Sequence, residues 1–201
     1  MPATSSHSIW AIVLAAGISS RMGKPKLLMP WGDHTMIEEV VDQVVAAEYD
    51  GVVVVLGEWW EEMQECLDDR DVKFARNLNF RSGVAGSIKA GVAFLDSTAT
   101  AFGIVLGDQP SVKAKTHKLV MANFRKAKKG ICVPMYDGVI GHPVIFSAEY
   151  RSRMFGLQGD SGARRLVEGS KDDVAQLELK TPEIVGSINT QNDYDSEMKQ
   201  K

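Results

Sequence analysis

The sequence predicts an α/β fold in which helices cover a mostly parallel β-sheet. Short apolar runs rich in β-branched residues alternate with segments whose apolar residues recur at helical spacing. Two of the runs, 51–57 and 101–107, are apolar at nearly every position, as in strands buried on both faces. Because the 201 residues contain no internal repeat, low-complexity tract or linker, one domain is the simplest interpretation.

The elements follow from these patterns in chain order. A strand at 9–14 leads through a glycine-containing loop to a helix over about 35–48, where Thr35 and Glu38 are spaced as a capping box. The other predicted strands are 51–57, 72–75, 101–107, 131–135, 143–146 and 174–179, and Asp137-Gly138 predicts a hairpin-like turn. The other predicted helices are 58–69, 87–95, 115–128 and two short ones before 174, and a polar tail completes the chain.

Composition and charge exclude several classes of protein. The 23 basic and 26 acidic residues give a net charge of −3, so no global basic field favours nucleic acid or an anionic membrane. No run approaches the roughly 18 apolar residues of a membrane-spanning helix. The apolar run 9–16 has basic residues after it rather than before it, which is the wrong order for a signal peptide, so we expect a cytoplasmic protein. Cys66 and Cys132 lack the spacing of a zinc site or a disulfide scaffold.

The loop after the first strand has the composition of a phosphate-binding loop. Its small residues would let a phosphate approach the backbone, and Arg21 and Lys26 would supply positive charge. A small-residue turn with solvated charges is the other interpretation of this loop alone. Five residues separate Gly17 from Gly23 and no two glycines stand two apart, which excludes the Walker A and dinucleotide-binding motifs.

Asp108 ends the buried strand 101–107 and precedes Gln109-Pro110. The carboxyl ends of parallel strands meet at one edge of a sheet, so this carboxylate should lie near the first loop. There it could hold Mg²⁺ on a triphosphate, because Mg²⁺ prefers oxygen ligands and takes one or two carboxylates together with phosphates. The other interpretation is a carboxylate that caps a turn stiffened by Pro110.

Several segments, taken in order, resemble the motifs of the molybdenum cofactor cytidylyltransferases, within the wider MobA-like nucleotidyltransferase group. These segments are 14–32, 77–91, 107–110, 141–146 and 159–164. The resemblance extends over residues 9–195, so it implies one MobA-like domain for residues 1–201 with a three-layer, Rossmann-like nucleotidyltransferase fold. It also implies transfer of CMP from CTP to the terminal phosphate of molybdopterin, with release of pyrophosphate and Mg²⁺ as cofactor.

The resemblance further implies roles for individual residues. The nucleotide and its phosphates would contact Leu14, Ala15, Ala16, Gly17, Arg21 and Lys26, and the base and ribose would contact Asn77, Gly83 and Ser87. Asp108 would bind Mg²⁺ and share the catalytic role with Arg21 and Lys26. His142, Asp160 and Arg164 would lie on the acceptor side. The residues alone favour other interpretations of these three, namely a turn histidine, a helix cap before Ser161 and a solvated arginine.

One departure from the family pattern concerns the second metal ligand. The family has an Asp-Ile-Asp-Thr stretch where this chain reads Ser187-Ile188-Asn189-Thr190, so Asn189 would offer a neutral oxygen, as in guanylyl-transferring relatives. Ala16 favours the cytidylyl group, because guanylyl relatives usually carry a glycine there. The alternatives are GTP as donor, sugar-nucleotide synthesis, and a noncatalytic protein that delivers the cofactor to a recipient molybdoenzyme.

Overall fold

A computed structural model describes residues 8–17 and 25–199, and of the predicted site residues only Arg21 lies outside these ranges. Within them, eight strands form one sheet in the order β10-β7-β9-β6-β1-β4-β5, with β8 paired to β7. These strands are β1 (Ile9–Ala15), β4 (Gly51–Leu56), β5 (Lys73–Arg76), β6 (Ala101–Leu106), β7 (Ile131–Tyr136), β8 (Val139–Ile140), β9 (Val144–Ser147) and β10 (Val174–Glu178). A separate two-stranded hairpin joins β2 (Pro30–Trp31) to β3 (His34–Thr35).

The sheet is mostly parallel, which confirms the predicted fold class. β1 lies between β4 and β6 and runs parallel to both, and β5 and β10 are parallel to their neighbours. β9 is antiparallel to β6 and β7, and the predicted turn at Asp137-Gly138 joins the antiparallel pair β7 and β8. This arrangement places the carboxyl ends of β1, β4 and β6 at one edge of the sheet.

Helices pack on both faces of the sheet and make three layers. They are α1 (Met36–Ala46), α2 (Trp60–Cys66), α3 (Val84–Ala93), α4 (Ala114–Ala127), α5 (Arg151–Met154), α6 (Arg164–Glu168) and α7 (Gln191–Met198). Apolar residues of α1 and α4 pack with those of β1 and β4 in one core layer, and α3 and α5 pack with the opposite side chains of the same strands in the other. Strands buried on both sides therefore explain the continuous apolar runs in the sequence. No described helix is long and apolar enough to cross a membrane.

The helix ends confirm one prediction and correct two others. Thr35 and Glu38 form the predicted capping box at the start of α1. α3 begins at Val84, earlier than predicted, because Gly83 adopts a positive φ of 95° that turns the chain into the helix. The predicted polar tail contains α7, which starts with a second capping box between Thr190 and Asp193.

Gly91 has a packing role at the contact of α3 with the sheet. A Cβ atom there would lie 2.3 Å from Ile12 Cγ2 and 3.0 Å from Val55 Cγ2, so only glycine lets the helix approach β1 and β4 this closely. Gly91 belongs to the segment that resembles the family's second nucleotide motif, and the structure gives it a role in holding α3 against the sheet.

Candidate active site

Two adjoining cavities open at the carboxyl edge of β1 and β6. The first has a volume of about 410 Å³ and the second of about 500 Å³. Leu14, Val84 and Leu106 line both of them, so the two cavities share a wall. The first is also lined by Ala16, Gly17, Lys26, Leu27, Phe80, Arg81, Gly83, Ser87, Asp108 and Asp160. Most residues predicted to contact a nucleotide thus meet in one cavity.

Lys26 and Asp108 form an ion pair in this first cavity, with 2.9 Å between Nζ and Oδ2. Their side chains are only 14% and 23% exposed, so the pair is well shielded from water. The Gly107 N–H donates to the Leu14 carbonyl at 3.0 Å, which continues the contact of β6 with β1 and brings Asp108 beside the first loop. The predicted cation and the predicted metal ligand therefore lie together at one edge of the sheet.

Of the residues at the end of β1, two line the first cavity and one is buried in the core. Ala16 and Gly17 line the first cavity, and among residues 8–17 and 25–199 a Cβ atom on Gly17 would meet nothing within 4 Å. The Ala15 side chain is 1% exposed and belongs to the core on the side of α1 and α4. Ala15 lines neither cavity, so the structure does not place it where the predicted nucleotide contact would be made.

Asp160 faces the first cavity, not the second, and caps a helix other than its own. Its Oδ1 accepts a hydrogen bond of 3.3 Å from the N–H of Val84, the first residue of α3, which lies 76 positions earlier. The prediction of a cap before Ser161 is wrong, because α6 starts after Ala163 without a side-chain cap. A Cβ atom on Gly83 would lie 2.6 Å from Asp160 Oδ1, so the two segments are in close contact.

Asn77 lies behind Ser87 and does not line the first cavity. The side chain is 6% exposed, its Nδ2 donates to Ser87 Oγ at 3.1 Å, and its Oδ1 accepts from the Asn79 N–H at 3.0 Å. Both polar ends of the amide are therefore engaged within the protein. Ser87 lines the cavity, and Asn77 orients the Ser87 hydroxyl from behind through this hydrogen bond.

The second cavity contains two of the three residues predicted for the acceptor side, His142 and Arg164. Burial lowers the pKa of His142 to about 4, against the opposing effect of the nearby Asp108 carboxylate, so the imidazole is neutral at pH 7. Arg164 is 79% exposed and pairs with Glu168 at 2.7 Å. The remaining wall is largely apolar and includes Ile88, Ile104, Val139, Ile140, Val144, Phe146 and Val167.

The residues beside Asp108 fit a magnesium ion by their chemistry. The Ile188 N–H donates to the Asp108 carbonyl at 3.0 Å, which holds the 187–190 segment against the turn that carries Asp108. Asn189 donates its Nδ2 to the Ser187 carbonyl at 3.4 Å, and its Oδ1 is the oxygen that it can offer to a metal. Residues 8–17 and 25–199 contain no group of three or more His, Cys, Asp or Glu side chains suited to a metal ion. Asp108 and Asn189 carry the oxygen ligands that Mg²⁺ prefers, and such an ion would take its other ligands from phosphates and water.

Phe80 and Arg81 line the first cavity although no role was predicted for them. The Arg81 guanidinium lies 5.3 Å from the centre of the Phe80 ring and pairs with Glu58 at 2.7 Å. Both residues belong to the segment 77–91 that resembles a family motif, and this was the signal in the sequence that could have found them. Val139 and Ile140 of the second cavity gave no such signal.

Comparison with known proteins gives the family. Residues 11–176 match the family model described as MobA-like NTP transferase domain. The chain is 26% identical to the molybdenum cofactor cytidylyltransferase of Escherichia coli, over 93% of this chain and 94% of that protein. It is also 26% identical to the nicotine blue oxidoreductase of Paenarthrobacter nicotinovorans, over 78% and 79%.

Solved structures agree with this result. Rv0371c of Mycobacterium tuberculosis superimposes with a TM-score of 0.87 at 27% identity, over 97% of this chain and 100% of that one. A second structure of Rv0371c, a complex with manganese, has a TM-score of 0.83 at 25% identity, over 96% and 100%. The family match, together with the sheet order and the cavity at its carboxyl edge, identifies this chain as a member of the MobA-like NTP transferase family.

Proposed function

We propose that this protein is a molybdenum cofactor cytidylyltransferase, which transfers CMP from CTP to the terminal phosphate of molybdopterin and releases pyrophosphate. The observation that carries the proposal is the shielded ion pair of Lys26 with Asp108, in a cavity that Ala16 and Gly17 also line. The acceptor would occupy the second cavity, which shares a wall with the first. The similarity to the E. coli enzyme over nearly the whole of both chains supports this choice.

The reaction brings two anions together, so positioning and charge neutralisation account for most of the catalysis. Lys26 offsets the charge on the α-phosphate and on the leaving pyrophosphate, and Arg21 would share that role. The attacking phosphate is already ionised near neutral pH, so no residue has to act as a general base. Asp108 and Asn189 would hold Mg²⁺, which supplies positive charge to the phosphate oxygens.

The substrate-binding residues have distinct tasks in this proposal. Gly17 lines the cavity without a side chain, so a phosphate could approach its backbone, and Ser87 offers its hydroxyl to the nucleoside. The neutral His142 provides a hydrogen bond to the acceptor without adding charge beside Asp108. CTP is the proposed donor because of Ala16, and GTP is the second candidate because Asn189 is the residue of guanylyl-transferring relatives.

Pyrophosphate release from each of the four NTPs, measured with and without molybdopterin, tests the proposal. We expect release from CTP only when the pterin is present. Pterin-dependent release from GTP and from no other NTP would make the protein a guanylyltransferase. Nucleotide binding without pyrophosphate release would indicate a cofactor-delivery protein.

The variant Asp108→Ala tests the assignment of the site in the same assay. It should lose most of its turnover at saturating CTP, because the carboxylate that would hold the metal is removed. Asp68→Ala, which removes an exposed carboxylate far along the chain from the site, is the matched control and should keep the wild-type rate. A rate for Asp108→Ala near that of the control in Mg²⁺ would refute the assignment.

A further inference from the structure

The C-terminal helix α7 packs against both loops that carry the ion pair, and it lies beyond the residues that match the family model. The Tyr194 hydroxyl donates to the Pro30 carbonyl, and its ring meets the Trp31 ring edge-on with 6.3 Å between centroids. At the other end of the helix, Ser111 Oγ donates to Glu197 Oε2 at 2.7 Å. The helix therefore connects the segment that follows Lys26 with the segment that follows Asp108.

Asp193 is the residue of α7 that acts on the 187–190 segment. Its Oδ2 accepts hydrogen bonds from the N–H groups of Asn189 at 2.9 Å and Thr190 at 2.7 Å. On the other side of Asn189, the Ile188 N–H is bonded to the Asp108 carbonyl at 3.0 Å. Asn189 is thus fixed between two anchors, one provided by Asp193 and one by the turn that carries Asp108.

The charge of Asp193 strengthens its hydrogen bonds to the 187–190 segment. An ionised carboxylate accepts stronger hydrogen bonds from N–H groups than a neutral oxygen does. The pKa of Asp193 is accordingly below its ordinary value, first because the Asn189 and Thr190 N–H groups donate to it. Removing this charge would loosen the hold on the backbone of Asn189.

We propose that Asp193 is a positioning residue for the cation site formed by Asp108 and Asn189, in addition to its role as a helix cap. It holds the backbone of Asn189 in place beside the turn that carries Asp108, so that the side-chain oxygens of both residues are available to one divalent cation. The inference rests on the proposed function, because it requires that these two residues bind the metal.

Manganese binding, followed by the electron paramagnetic resonance of free Mn²⁺ in the presence of α,β-methylene-CTP, tests the proposal without turnover. The variant Asp193→Asn keeps an oxygen for the two N–H groups and removes the charge. We expect its Mn²⁺ dissociation constant to rise about tenfold, as for other residues that orient metal ligands. Asp193→Glu, which keeps the charge and restores the usual residue of a capping box, should recover most of the affinity.

Asp195→Asn is the matched control, because Asp195 lies on the same helix, is exposed and bonds only to Gln191 among the residues described here. It should bind Mn²⁺ as the wild type does. If Asp193→Asn and Asp195→Asn bind Mn²⁺ with equal affinity, Asp193 is only a helix cap. That result would overturn this inference and leave the proposed function standing. If Asp108→Ala binds Mn²⁺ as tightly as the wild type does, Asp108 is not a metal ligand. That result would overturn the metal site of the proposed function and this inference with it.

Discussion

Replacing His117 with glutamine should make folding less sensitive to acid. His117 is 1% exposed in the core beside α1, and its Nδ1 lies 3.2 Å from the hydroxyl of Tyr49. Burial lowers its pKa from 6.5 to about 4 in the folded protein. The unfolded chain therefore binds a proton more readily than the folded one, and stability falls as the pH drops through 6.5 toward 4.

The expected size of this effect follows from the two pKa values. Between pH 7.5 and pH 5, protonation of the unfolded chain at His117 costs about 2 kcal/mol of stability. That is a large share of the roughly 5–15 kcal/mol that stabilises a domain. In His117→Gln the amide can still pair with the Tyr49 hydroxyl but cannot take up the proton, so this loss should be absent. His142 also has a pKa of about 4, but it contributes equally to both proteins and cancels in the comparison.

Urea unfolding of the wild type and His117→Gln at pH 7.5 and pH 5 measures the difference directly. Tyr49→Phe separates the two possible origins of the effect, because it removes the hydroxyl and keeps the histidine buried. Its loss of stability on acidification should match that of the wild type. If His117→Gln and the wild type lose the same free energy between the two pH values, burial of this histidine is not what makes the fold acid-sensitive.

Two further predictions follow from the packing and from the first loop. Gly91→Ala should lower the free energy of unfolding by about 2 kcal/mol in a urea titration, because the clash with Ile12 and Val55 outweighs the helix propensity gained. An unchanged or higher free energy of unfolding would contradict the packing role. Arg21→Ala should weaken CTP binding in a calorimetric titration and slow a single turnover, because a phosphate-binding cation is lost. An unchanged CTP dissociation constant and single-turnover rate would show that Arg21 is not part of the site.

The strands and the nucleotide side of the site could be predicted because their signals are local. β1, β4 and β6 are buried on both faces, so their apolar runs are continuous, and Lys26 and Asp108 follow from where the chain leaves those strands. α7 was missed because its own residues are polar and none of them is fully buried. The contact of Asp160 with α3 spans 76 residues and depends on the tertiary fold, so no local pattern contains it.

The apolar lining of the second cavity was missed for a related reason. Val139 and Ile140 form a strand of only two residues, which is too short to show any periodicity. Their side chains are 55% and 38% exposed, and only the folding of β8 back along β7 brings them to the wall near His142. The same limit applies to the hairpin of β2 and β3, where each strand has two residues.

The loop at 159–164 serves both cavities, since Asp160 lines the first while Ser161 to Arg164 line the second. Through Asp160 it also holds the first turn of α3, where Val84 faces both chambers. A shift of this loop caused by a ligand in one cavity would therefore move residues that line the other. If the two proposed ligands are coupled in this way, the factor by which the acceptor alters nucleotide affinity must equal the factor by which the nucleotide alters acceptor affinity.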